Sequence, residues 1–204
     1  MDNNLPSASF KKDIIVNLNI ISYDNFSKIS QKIITKIDQI TDDHENYYNT
    51  YIDVFFNKAI DQTEDLYINL YTDLCNKIFR HILSKDKEKF LLFYRTIINK
   101  CQTVFETTIT SENADKIKGC TILISNFINK KIINKDLINK IIISLTEGVN
   151  EKRINVLIAL ISSFNDGVIL DPDIVDKLDE ISKLEFSCTR INILLEDVVE
   201  RYRT

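Results

Sequence analysis

Apolar residues recur every three or four positions along almost the whole chain, the spacing of a helix with one buried face. Phe26, Ile29, Ile33, Ile37 and Ile40 form a first stripe, with Ser22 placed as its N-cap. Tyr47, Tyr51, Val54, Phe55 and Ala59 form a second, Leu66, Leu70, Leu74 and Ile78 a third, and Phe90, Tyr94, Ile97, Cys101 and Phe105 a fourth. Ile117, Cys120, Ile124 and Phe127 come next, followed by Leu137, Ile141 and Leu145, after which Gly148 stands where a helix end takes left-handed backbone. Ile154, Leu157, Ile158 and Ile161 run towards Gly167. Asp171-Pro172 then marks a restart, with Asp as N-cap and Pro at the first helical position. Ile174, Leu178 and Ile181, then Ile191, Leu194, Leu195, Val198 and Tyr202, complete the series.

This pattern predicts an all-α protein of about nine or ten helices joined by short loops. Consecutive helix pairs of roughly 40 residues match the period of a HEAT-type α-solenoid. A compact helical bundle is the alternative, but similar amphipathic helices with no distinct central one favour the solenoid. Residues 1–204 read as a single domain, with 1–17 an N-terminal extension expected to be partly flexible.

Composition narrows the class further. With 3 Gly and 2 Pro the chain lacks the punctuation of a many-stranded β protein. A hydrophobic share of 44% against 27% charged is that of a folded protein rather than a disordered one. No apolar run is long enough to span a membrane. The start "MDNNLPSASFKKD" lacks a basic and then apolar signal region, so a cytoplasmic location is expected. Cys75, Cys101, Cys120 and Cys188 are widely spaced, sit on apolar stripes, and read as reduced and mostly buried thiols.

Little in the sequence points to catalysis. His44 and His81 are the only histidines, and neither has a second ligand at metal spacing. No phosphate-binding glycine loop or nucleophile-elbow motif is present. No enzyme activity, metal or cofactor is expected. The net charge is −4, but residues 116–153 carry eight Lys/Arg against three acids. Lys116, Lys118, Lys130, Lys131 and Lys135 are therefore the candidates for contact with a polyanion such as messenger RNA, although a charged helical face is more often simply solvated. The stretch has no interleaved aromatics for base stacking, so RNA binding there is expected to be weak and salt-sensitive.

Four segments carry a resemblance. "KAIDQTEDLYINLYTDLC" (58–75) resembles the Lys-Ala, short acidic loop, aromatic, Tyr-Ala-x-x-Cys segment of the middle domain of eukaryotic translation initiation factor 4 gamma. "IINKCQTVFE" (97–106) is similar to the family's helix with Cys-Gln-x-x-Phe-Glu, and "KIKGCTILISNF" (116–127) to its central Gly-x-x-x-Phe-Ile-Gly-x-Leu helix. "SCTRINILLEDVVERYR" (187–203) resembles its closing helix. The segments follow the family order from about residue 18 to 203. Thr72 replaces the usual Ala and Ser125 the second glycine of the central helix. The acidic loop is longer than usual, and the loop "TTITSENAD" is shorter.

The resemblance implies five helix pairs in a crescent and a non-enzymatic scaffold in translation initiation. Its partner would be a DEAD-box RNA helicase of the initiation factor 4A type, with weak RNA binding besides. By position in the family, Asp65, Leu66 and Tyr67 would contact one helicase lobe, and Arg190, Asn192, Asp197 and Arg201 the other. Tyr67 has a competing reading as a half-buried residue packing its own helix, and Arg190 and Asp197 could instead lock the final helix pair. A sister adaptor in nuclear cap binding, splicing or messenger decay is the rival function, and a simple RNA-binding module a second. The cap-binding subunit's docking motif, Tyr followed five residues later by Leu, is absent, so no contact of that kind is expected.

Overall fold

The computed structural model describes residues 5–62, 64–110, 112–147 and 150–203. Among them are ten α-helices and no strand: α1 (Leu5–Ile20), α2 (Phe26–Asp38), α3 (His44–Ile60), α4 (Asp65–Lys85), α5 (Lys87–Ile109), α6 (Ala114–Asn129), α7 (Lys135–Thr146), α8 (Glu151–Ser162), α9 (Pro172–Ser182) and α10 (Thr189–Arg203). They form two compact units, Met1–Val104 and Phe105–Thr204.

Within the first unit α1 packs on α2 and α3, α3 on α4, and α2 on α4. Each of α1 to α4 thus meets one sequence neighbour and one second neighbour, the pattern of hairpins stacked in two layers. The second unit repeats it: α6 packs on α8, α7 on α8 and α9, and α8 and α9 on α10. The fold is all-α and solenoid-like in its contacts.

The core of the first unit is aromatic. Tyr48, Tyr51, Phe55, Phe56 and Phe93 are fully buried, and the Tyr48 ring meets Phe93 edge-on with centroids 5.1 Å apart. The second unit is filled by branched aliphatics, among them Leu123, Leu145, Leu157, Ile161, Leu178 and Leu195. Both departures from the family pattern are accommodated locally. The buried hydroxyls of Thr72 and Ser125 donate to the carbonyls of Ile68 and Thr121, one turn back, so neither leaves a polar atom unsatisfied.

Several expectations need correction. The stretch 1–17 includes most of α1, whose Phe10, Ile14 and Leu18 are buried at i, i+4, i+8 spacing. The first four residues lie outside the described chain. Ser22 does not cap α2; Asn25 occupies the N-cap, and its side chain accepts from Ser22 N–H and donates to the Ile20 carbonyl. Asp171-Pro172 does begin α9, but the Asp171 side chain makes no cap bond; it is turned to Lys135 and Asn139. Gly148 lies outside the described residues. Cys75, Cys101 and Cys120 are buried, whereas Cys188 is exposed just before α10. Burial pushes the Cys120 thiol up to about 12 and raises that of Cys75 as well, which leaves both inert.

Candidate functional site

The acidic stretch after α3 ends at Glu64, the extended N-cap of α4. Asp65 then places a carboxylate in the first turn, where the free N–H groups of a helix favour negative charge. Further along α4, Ile68, Tyr71, Cys75, Ile78 and Ile82 form the buried face at alternating spacings of three and four. Leu66 and Tyr67 are outside that face, 57% and 42% exposed. Leu70, Leu74 and Ile78 of the stripe read from Leu66 are buried as well, and only Leu66 departs from it. Tyr67 is not a core residue.

The end of α1 is fastened to the start of α4. A helix leaves its last four carbonyls without intrahelical partners, and two of α1's find side chains. The buried Tyr71 hydroxyl donates to Leu18 O at 3.0 Å, and Asn25 Nδ2 donates to Ile20 O at 2.7 Å. Burial raises the Tyr71 phenol, with the neighbouring Tyr67 adding to it. In the turn that follows α1, Tyr23 is 52% exposed and donates its hydroxyl to Leu66 O at 3.1 Å. Tyr23, Leu66 and Tyr67 thus form one exposed, largely apolar surface at this corner. Sequence reasoning missed Tyr23; its only signal was an aromatic between Ser22 and Asp24 in an otherwise polar turn.

On α10, Arg190, Asp197 and Arg201 recur at intervals of seven and four and so share one side of the helix. Arg190 and Asp197 are exposed, and Ile193, on the same side, is 54% exposed. The locks on the last helices come from the other two candidates. Asn192 Nδ2 donates to Ser182 O at 2.8 Å and Leu184 O at 2.7 Å, covering the open end of α9. Arg201 donates to Phe164 O at 2.7 Å and to the Asp166 carboxylate at 3.1 Å, with its guanidinium 5.3 Å from the Tyr202 ring centre.

The candidate lysines do not form one patch. Lys116 and Lys118 lie in the first turns of α6, whereas Lys130, Lys131 and Lys135 follow its other end, about 21 Å along the axis from Lys116 to Lys130. Lys135 is ion-paired with Asp171, which Asn139 also bonds. Among the described residues no group of three His, Cys, Asp or Glu side chains converges as a metal site, and no helix is long and apolar enough to cross a membrane.

No protein-family model matches the sequence, and no curated protein does. The fold has a clear counterpart among solved structures. The MIF4G domain of Trypanosoma cruzi translation initiation factor EIF4G5 superposes with a TM-score of 0.67 at 15% identity, covering 96% of this chain and 95% of that one. The chain therefore has the fold of an MIF4G domain, the middle domain that the four sequence segments resemble.

Proposed function

We propose that this chain is a translation-initiation scaffold that binds a DEAD-box RNA helicase of the initiation factor 4A type and does no chemistry itself. The reading is supported by the shared fold and by the order of the four segments. The observation that carries it is the exposure of Leu66 and Tyr67 on a helix whose other large apolar residues of the first turns face inward. Exposed aromatics grouped on a rigid corner are what a hot spot requires.

A two-lobed helicase is slow when its lobes drift apart. A scaffold that contacts one lobe through Tyr23, Leu66 and Tyr67 and the other through Arg190, Asp197 and the start of α10 favours joined geometries, to the extent that it binds them more tightly. Each contact needs only modest affinity, because the second becomes intramolecular once the first is made. The scaffold acts in the cytoplasm on this reading, and RNA contact is secondary.

The test is binding of the purified chain to an initiation factor 4A-type helicase, followed by the helicase's ATPase rate with and without it. Binding with a raised rate is expected. Binding instead to a helicase of splicing or messenger decay, with none to the initiation type, overturns the assignment in favour of a sister adaptor.

A further inference from the structure

The turn after α6 has a conformation that its sequence does not favour. Ile132 N–H donates to Phe127 O and Lys131 N–H to Ile128 O, both at 2.9 Å, which is the paired closure of a Schellman motif. That motif puts its C′ residue in the left-handed region, where glycine carries no penalty. Here the residue is Lys131, with φ of 57°. A strained lysine in place of glycine asks for a reason.

The surroundings supply one. Lys131 stands at the rim of a groove of about 440 Å³ between the α6–α7 and α8–α9 loops, within the range of ligand-binding pockets. Ile133, Ile138, Val168 and Ile169 give it an apolar lining, and Ile169 is 73% exposed. The walls are braced by one side chain: Asn129 donates to Ser163 O and accepts from Asn165 N–H, each at 2.8 Å. No carboxylate lines the groove. Its second lysine, Lys135, is already met by Asp171. Lys131 makes no ion pair among the described residues, so it is the charge left for an occupant.

We infer that this groove binds a short linear segment of a partner protein, with one or two bulky apolar side chains seated on Ile133, Ile138 and Ile169 and an Asp or Glu carboxylate on Lys131. Charge complementarity selects an acidic over a basic segment. A nucleic acid is disfavoured because the lining offers aliphatic residues and no aromatic ring on which a base could stack. The site is independent of the Tyr67 corner and does not rest on the helicase reading.

The test is selection of a display library of random twelve-residue peptides on the full chain, followed by affinity measurements with a synthetic copy of the most enriched sequence. Enrichment of sequences with a bulky apolar residue within about four positions of Asp or Glu is expected. The synthetic peptide should lose at least about tenfold in affinity on Ile169→Asp and on Lys131→Glu, both exposed substitutions. Lys131→Gly separates the two roles of the residue, since it should weaken the peptide while raising Tm by relieving the backbone. No enriched family, an enriched family without acids, or an affinity unchanged by Lys131→Glu overturns the inference. So does displacement of the peptide by a twelve-residue polyuridine, which assigns the lysine to RNA. Self-association abolished by Ile169→Asp assigns the groove to a second copy of the chain, with the same consequence.

Discussion

The Tyr23 hydroxyl donates to the main-chain carbonyl of Leu66 across 43 positions of sequence, at 3.1 Å. The bond holds the turn after α1 against the first turn of α4, so the exposed rings of Tyr23 and Tyr67 are presented on a braced surface. A binding surface fixed in advance loses less conformational freedom on association.

Tyr67→Ala is expected to weaken helicase binding about thirtyfold, since truncating a hot-spot tyrosine costs about 2 kcal/mol. Thermal stability should stay within about 0.5 kcal/mol, because the residue is on the surface. Tyr23→Phe keeps the ring and loses the bond to Leu66, so a smaller loss of binding is expected, again at unchanged stability. Calorimetric titration alongside thermal melts checks both. A large fall in Tm for Tyr67→Ala with full binding by the folded fraction would move the helicase-facing surface elsewhere.

Tyr71→Phe tests the buried bond between α4 and the end of α1. It deletes one hydroxyl and leaves the buried Leu18 carbonyl at the end of α1 without its side-chain donor. About 1 to 2 kcal/mol of destabilisation is expected, a Tm drop of a few degrees, with helicase affinity unchanged at temperatures where the protein is folded. An unchanged melt would mean that α1 is not held there.

The sequence made most helices readable because their buried faces are strict. In α7, Leu137, Ile141 and Leu145 fall on one stripe, and Asp171-Pro172 announces α9 by chemistry that few other dipeptides share. Other features were hidden for physical reasons. α1 has apolar residues on more than its buried side, with Val16 and Ile20 exposed, so its pattern is blurred. The two units divide between Val104 and Phe105, inside continuous α5, where no glycine or proline marks a boundary. The Schellman turn at Lys131 was invisible because the glycine that advertises such turns is missing. At the candidate corner, Tyr67 was legible from its motif, but Tyr23 is brought there only by tertiary packing. On α10 the sequence left Arg190 and Asp197 open between a partner contact and a lock on the final helix pair, and it could not tell that Asn192 and Arg201 are the residues that spend their donors inside the chain.

Those donors predict a division among the α10 variants. Arg201→Ala removes the bond to Phe164 O and should cost about 1 kcal/mol, most of it from that carbonyl, because the Asp166 partner is fully exposed and its ion pair is screened. Arg190→Ala and Asp197→Ala should leave stability within about 0.5 kcal/mol. If this side of α10 meets a helicase lobe, both surface variants weaken binding at constant Tm. Equal stability losses for all three would place Arg190 and Asp197 in the same structural role as Arg201.

Acid sensitivity follows from carboxylates that join separate elements. The Lys135 hydrogen bond holds Asp171 below its ordinary value of 3.8, and bonds from Lys183 and Arg203 do the same for Asp179. The Ser187 hydroxyl and N–H hold Glu151 below 4.5. Burial pushes Asp38 up, but hydrogen bonds from Lys85 and His81 outweigh it and leave that carboxyl lowered. In each case the folded value is below the unfolded one, so under acid the unfolded chain binds more protons than the folded chain. The stabilisation is complete above the unfolded values and is lost as pH falls through the folded ones. Tm should therefore be nearly flat with respect to these groups between pH 7 and about 5, then decline below about 4.5. Because these groups are largely exposed, added salt should shrink the decline. Asp171→Asn keeps a competent N-cap residue for α9 while removing the charge that meets Lys135, so its melt should start lower at pH 7 and fall less on acidification. A Tm that rises below pH 4.5, or an Asp171→Asn curve parallel to that of the parent chain, would show that these bonds do not persist in solution.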